Sequence, residues 1–105
     1  MKTFTVYQLQ GPNYRDARFN LGFGDNPVAL AEKLFNQRSY QLVADIKAVD
    51  LNHVFQIGNI GPEENIERLD RMASISVGDI VIDENNIVWV VADYGFKEVC
   101  ELETV

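Results

Sequence analysis

The chain holds one cysteine, one histidine and one tryptophan among 105 residues. A single cysteine, Cys100, excludes an internal disulfide and a thiolate cluster around a metal, and it suits a reducing compartment. A single histidine, His53, leaves no His-x3-His pair, and no Cys-x2-Cys pair replaces it, so a zinc site lacks its ligands. Long hydrophobic runs are missing too: the longest, Ile87 to Ala92, is far shorter than the ~20 apolar residues of a membrane-spanning helix. Met1 to Leu9 has one lysine followed by alternating residues, without the apolar stretch and cleavage site of a signal peptide. The expectation is a soluble protein of the bacterial cytoplasm with no membrane partner.

Positive charge is scarce in the second half. Residues 53 to 105 carry eleven acids against only Arg68, Arg71 and Lys97, whereas residues 1 to 52 hold five acids and six bases, for a net charge of −7. Such a surface repels phosphate backbones, so direct nucleic-acid binding is not expected, and it favours basic partners. Solubility is the competing explanation for the same acids.

The remaining composition, 47% apolar and 24% charged, is that of a globular protein. One domain over residues 1–105 is expected, burying roughly two-thirds of the surface of its extended chain. Thr3, Thr5 and Tyr7 alternate with Phe4 and Val6, which predicts a first strand. Gln10 to Asn13 reads as a turn, and Tyr14 to Asp25 has no clear period. Asn26-Pro27 is a helix start, and Leu30, Ala31, Leu34 and Phe35 recur at helical spacing to near Arg38. Tyr40, Leu42, Ala44 and Ile46 alternate as a second strand. Asp50 caps a short helix with Leu51, Val54, Phe55 and Ile57 that stops at Gly58. Gly61-Pro62-Glu63-Glu64 opens another, with Ile66, Leu69 and Met72 on one side. Ile80 to Ile82 and Ile87 to Val91 flank Asp83 to Asn86 as a β-hairpin, with the second arm apolar enough for a central strand. Phe96, Glu98, Cys100 and Leu102 alternate with Lys97, Val99 and Glu101 as a last strand. The fold class is α+β, a mostly antiparallel sheet of about five strands with two or three short helices packed on it.

Chemistry has few carriers. Any triad must use His53, with Asp79 or Asp93 as its candidate partner and Cys100 as the lone thiol. Asp79 and Asp93 flank the hairpin and Asp83 and Glu84 sit at its tip, a placement as natural for turns as for acid-base work. Gly22, Gly24 and the stretch from Gly58 to Gly61 lack the following lysine of a phosphate loop, so no nucleotide, metal or other cofactor is expected. Trp89, Tyr94 and Phe96 serve either as core or as a partner anchor. Arg15, Arg18, Tyr14 and Phe19 form a small basic-aromatic cluster among acidic neighbours, more suited to local packing than to RNA.

Tyr7-Gln-Leu9, Arg15 to Phe19, Tyr40 to Val43, Leu51 to Asn59, Ser74 to Val81 and Gly95 to Val99, in that order, resemble the signature of the YodL-like domain family. Val91-Ala-Asp-Tyr-Gly-Phe96 departs from its Val-Asp-Ser-x-Gly-Phe segment, with Ala92 and Asp93 where that pattern has Asp and Ser. The resemblance implies a setting in phages, plasmids and conjugative elements and brings no settled catalytic activity with it.

Three readings follow. The first is a non-enzymatic module that binds a basic, nucleic-acid-binding host protein and counters a defence nuclease or complex, of anti-restriction or anti-CRISPR type. It uses Glu63, Glu64, Glu67, Asp70, Asp83, Glu84, Glu98, Glu101 and Glu103. The second is a small enzyme built on His53 with Asp79 or Asp93. The third is a structural domain that forms a homodimer through a sheet edge.

Overall fold

Lys2–Leu9 forms strand β1, with Phe4 and Val6 buried on one face and Leu9 on the other. The computed structural model describes residues 1–9, 17, 20, 21, 26–93 and 95–102. Six antiparallel strands run in the order β3-β2-β1-β4-β5-β6, where β2 is Tyr40–Ala48, β3 Ile66–Arg68, β4 Ile80–Ile82, β5 Ile87–Val91 and β6 Phe96–Glu101. The fold is a single α+β domain, with six strands where about five were expected.

Two helices cover opposite faces. Helix α1, Pro27–Asn36, starts where Asn26 Oδ1 accepts the Ala29 N–H at 3.1 Å and Pro27 occupies the first turn. It ends two residues before Arg38, whose φ of +60° takes the chain out of the helix. Its apolar side joins Leu9, Tyr40, Ile80, Ile82, Val88 and Val90, with the Phe35 ring edge-on to Tyr7 at 5.4 Å. Helix α2, Leu51–Asn59, is capped by Asp50, whose Oδ1 accepts the His53 N–H at 2.8 Å. It buries Val54 and Ile57 against Phe4, Val6, Ala44 and Ile46. The helices are offset, α1 lying mainly over β6 and α2 mainly over β2.

A bulge decides which face β2 presents. Pairing passes from Val6–Ala44 to Tyr7–Leu42, leaving Val43 as the extra residue. Tyr40 therefore joins the α1 core while Ala44, Ile46 and Ala48 join the α2 core, although simple alternation puts all four on one face.

Two expectations are corrected. Gly58 does not stop its helix: it lies inside α2 against Ile75, and Gly61, with φ +109°, takes the left-handed position. The helix expected after Gly61 is only the one-turn 3-10 helix Glu63–Asn65, and Ile66 to Arg68 become β3. Ile66 pairs with Ile46, and the Leu69 and Asp70 N–H groups both reach the Val43 carbonyl. The open edge of β2 offers this segment ladder bonds and a buried contact that three scattered apolar residues on a helix would not obtain; Leu69 stays 48% exposed. Most of the turn and irregular segment read between Gln10 and Asp25 lies outside the described residues, but Ala17 and Leu21 are described, helical, and part of the α1 core. Among the described residues no helix is long and apolar enough to cross a membrane.

Candidate functional site

The acidic residues singled out above fall into three groups. Glu63 and Glu64 in the 3-10 turn, Glu67 on β3 and Asp70 just beyond it lie along one edge of the sheet. Glu98 and Glu101 lie on β6, the opposite edge, and five strand spacings of about 4.8 Å separate the two by roughly 24 Å. Asp83 and Glu84 sit between β4 and β5, and Glu103 lies outside the described residues.

Their surroundings divide them by role. Asp83 is structural: Oδ1 accepts the Asn85 and Ile87 N–H groups at 2.8 and 3.0 Å, and Oδ2 accepts the Trp89 indole N–H at 3.0 Å. Asp70 accepts from Gln41 Nε2 at 2.9 Å and from the Arg71 N–H at 2.7 Å. Glu63 meets Arg68 Nε at 2.6 Å, a hydrogen bond that holds its carboxyl below the ordinary glutamate value. Glu64, Glu67, Glu84, Glu98 and Glu101 are exposed, and among the described residues their carboxylates meet no hydrogen-bonding or ion-pair partner. Glu67 even stands directly opposite Asp45, a like-charge pair that works against the β2–β3 ladder. Thr5 relieves it on one side by donating to Asp45 Oδ1 at 3.1 Å.

His53 does not meet its proposed partners. Its Nδ1 accepts the Val49 N–H at 3.0 Å, just past Ala48, which pairs with Lys2 at the start of β1. Asp79 lies at the far end, where its Oδ2 accepts from Gln8 Nε2 at 3.0 Å. The six-residue step from Lys2 to Gln8 is roughly 20 Å of strand. Asp93 follows β5 at the same end as Asp79, whose carbonyl accepts the Val91 N–H at 2.9 Å. Cys100 belongs to the α1 face and His53 to the helix on the other. The structure therefore does not bring His53 together with Asp79 or Asp93, because the β1 strand holds the groups apart.

Asp79 instead anchors the chain before β4. Fully buried, it accepts the Ser76 N–H at 2.9 Å as well as Gln8, while Gln8 clasps Ala73 through both its N–H and its carbonyl, at 3.0 and 2.9 Å. Tyr40 donates to the Gly78 carbonyl at 2.6 Å. Gln8 went unnoticed in the sequence; its signal was a polar residue on the face already occupied by Phe4 and Val6.

A cleft of about 280 Å³ opens where the β4–β5 turn meets the start of α2, lined by Lys2, Phe4, Asp50, Leu51, Asn52 and the turn residues Asp83, Glu84 and Asn85. Asp50 and Asp83 are committed to hydrogen-bond donors there, and Glu84 and Lys2 are the other charged residues of its lining. No cluster of three or more metal-ligating side chains occurs among the described residues. The Cys100 thiol is pushed up from its ordinary value by burial first and then by Glu32 and Glu98, so it stays protonated and weakly nucleophilic at neutral pH.

No family model matches the chain, and no curated protein and no solved structure shows significant similarity to it.

Proposed function

We propose that this chain is a non-enzymatic protein-binding module whose acidic sheet edges engage a basic, nucleic-acid-binding surface of a host protein. The supporting observation is the set of five exposed carboxylates, Glu64, Glu67, Glu84, Glu98 and Glu101, that meet no partner within the described molecule. Structural acids in this chain are visibly used, as Asp50, Asp79 and Asp83 are, so acids left outward and opposed to one another as at Asp45–Glu67 suit an external cation. The two edges, roughly 24 Å apart, present negative charge on either side of one sheet. The resemblance to YodL-like domains supports a setting in a phage or mobile element, in which the module would act by blocking a restriction or CRISPR complex.

Capture from host lysate tests this. Wild-type protein should retain a basic protein that is released as salt rises from about 0.1 to about 1 M, over which the screening length falls from about 10 to about 3 Å. Charge reversal at Glu64 and Glu67, or at Glu98 and Glu101, should abolish retention, and duplex DNA should compete. Retention indifferent to salt and to both reversals would refute the proposal.

A further inference from the structure

In a regular strand Glu98 and Glu101, three residues apart, point to opposite faces. Here they share one. Pairing passes from Val88–Cys100 to Trp89–Glu98, so Val99 is an extra residue in β6, and Glu101 comes to lie opposite Ile87 on the face where Glu98 lies opposite Trp89. Side chains so opposed stand about 5 Å apart. Trp89 is half-buried and its indole is fixed by the 3.0 Å bond to Asp83, while both glutamates are exposed. On this face α2 is seated mainly over β2, at the other side of the sheet from β6; α1 lies on the other face, as do Ala17 and Leu21.

We infer that Trp89, Glu98 and Glu101 form a receptor for arginine side chains of a partner protein. The inference rests on the binding function proposed above and names the chemistry its partner presents. Charge selects the occupant. Two carboxylates converge beside an aromatic surface, and the nearest basic residue in sequence, Lys97, pairs with Val90 and so points to the other face. Arg68 lies on β3, the opposite edge of the sheet, and Lys2, on the same face, stands on β1, two strands from Trp89, in the cleft it shares with Asp83 and Glu84. A guanidinium stacks on an indole within about 6 Å of its ring centre and forks to a carboxylate through parallel N–H groups; an ammonium supplies only a point charge. Nucleic acid would be repelled, and a second copy of this chain would bring the same two carboxylates against each other.

Trp89 is the only tryptophan and reports on its own surroundings. Titration with a short, end-capped arginine–serine repeat peptide should change its emission saturably. The lysine–serine counterpart should bind at least about tenfold more weakly, and Glu98→Gln/Glu101→Gln should weaken the arginine peptide by a similar factor. Glu64→Gln/Glu67→Gln, on the far edge, should change affinity less than about twofold. Unchanged emission, equal binding of the two peptides, or equal weakening by the far-edge pair would each overturn the receptor. If the receptor fails while host-protein capture stays salt-sensitive, the broader binding function stands and only this inference falls.

Discussion

Gly58 and Ile75 make one contact that neither residue announces in the sequence. A Cβ on Gly58 would lie 2.3 Å from Ile75 Cδ1 and 2.5 Å from its Cγ1, and Ile75 is only 2% exposed. Alanine in a helix interior gains about 1 kcal/mol over glycine, but overpacking of this kind costs about 1–3 kcal/mol, so the clash wins. Gly58→Ala should lower stability by about 1–2 kcal/mol in urea denaturation. Combined with Ile75→Ala, the same change should become neutral or favourable, and an equal cost in both backgrounds would show that the contact is not the cause. Glycine near the end of an apolar helical stretch reads as a stop signal, and only the neighbour from another part of the chain reveals a closeness requirement instead. Gln8 teaches the same lesson with polarity: its amide is satisfied by Ala73 and Asp79, residues more than sixty positions away.

Among the elements, the β4–β5 hairpin was the most legible. Two β-branched runs separated by Asp-Glu-Asn-Asn specify it, and Asn86 takes φ +63° as such turns require. Asp83 organises the turn by accepting from Asn85, Ile87 and Trp89. Asp83→Ala should cost about 1–3 kcal/mol and shift the emission of the sole tryptophan, whereas Asn86→Gly should stay within about 0.5 kcal/mol of wild type. Thermal unfolding followed by fluorescence checks both, and an Asp83 variant with native stability and emission would contradict this account. Less legible was β3, since its glutamates and apolar residues at three-residue spacing fit a helix until the open edge of β2 is considered. The bulges at Val43 and Val99 were invisible for a related reason. Alternation along a strand is local, but a register shift is chosen by the neighbouring strand, and each shift moves side chains to the other face. The candidate site was therefore half readable: its acids were named, yet their division into two edges and the convergence of Glu98, Glu101 and Trp89 were not.

For the molecule as a whole, the balance of charge sets behaviour in salt. With a net charge of −7 and its unpartnered carboxylates on the rims of one sheet, the folded state repels itself. Raising ionic strength from about 0.01 to about 0.1 M shortens the screening length from about 30 to about 10 Å, below the spacing between the edges. The melting temperature should rise by several degrees, on the scale of the ~4–8 °C that 1 kcal/mol produces in a domain of this size. A fall on adding salt, measured by circular dichroism, would mean that attractive pairs such as Glu63–Arg68 outweigh the repulsion. Composition and short-range pattern determined the α+β class, both helix starts, the hairpin and the acidic character, because caps, periodicity and charge act between residues close in the chain. Which edge each strand occupies, where the register slips, which glycine is hemmed in, and how far His53 stands from Asp79 were decided by tertiary structure. Those outcomes depend on contacts between segments that the linear order keeps apart, and they are settled only when one sheet buries both of its faces at once.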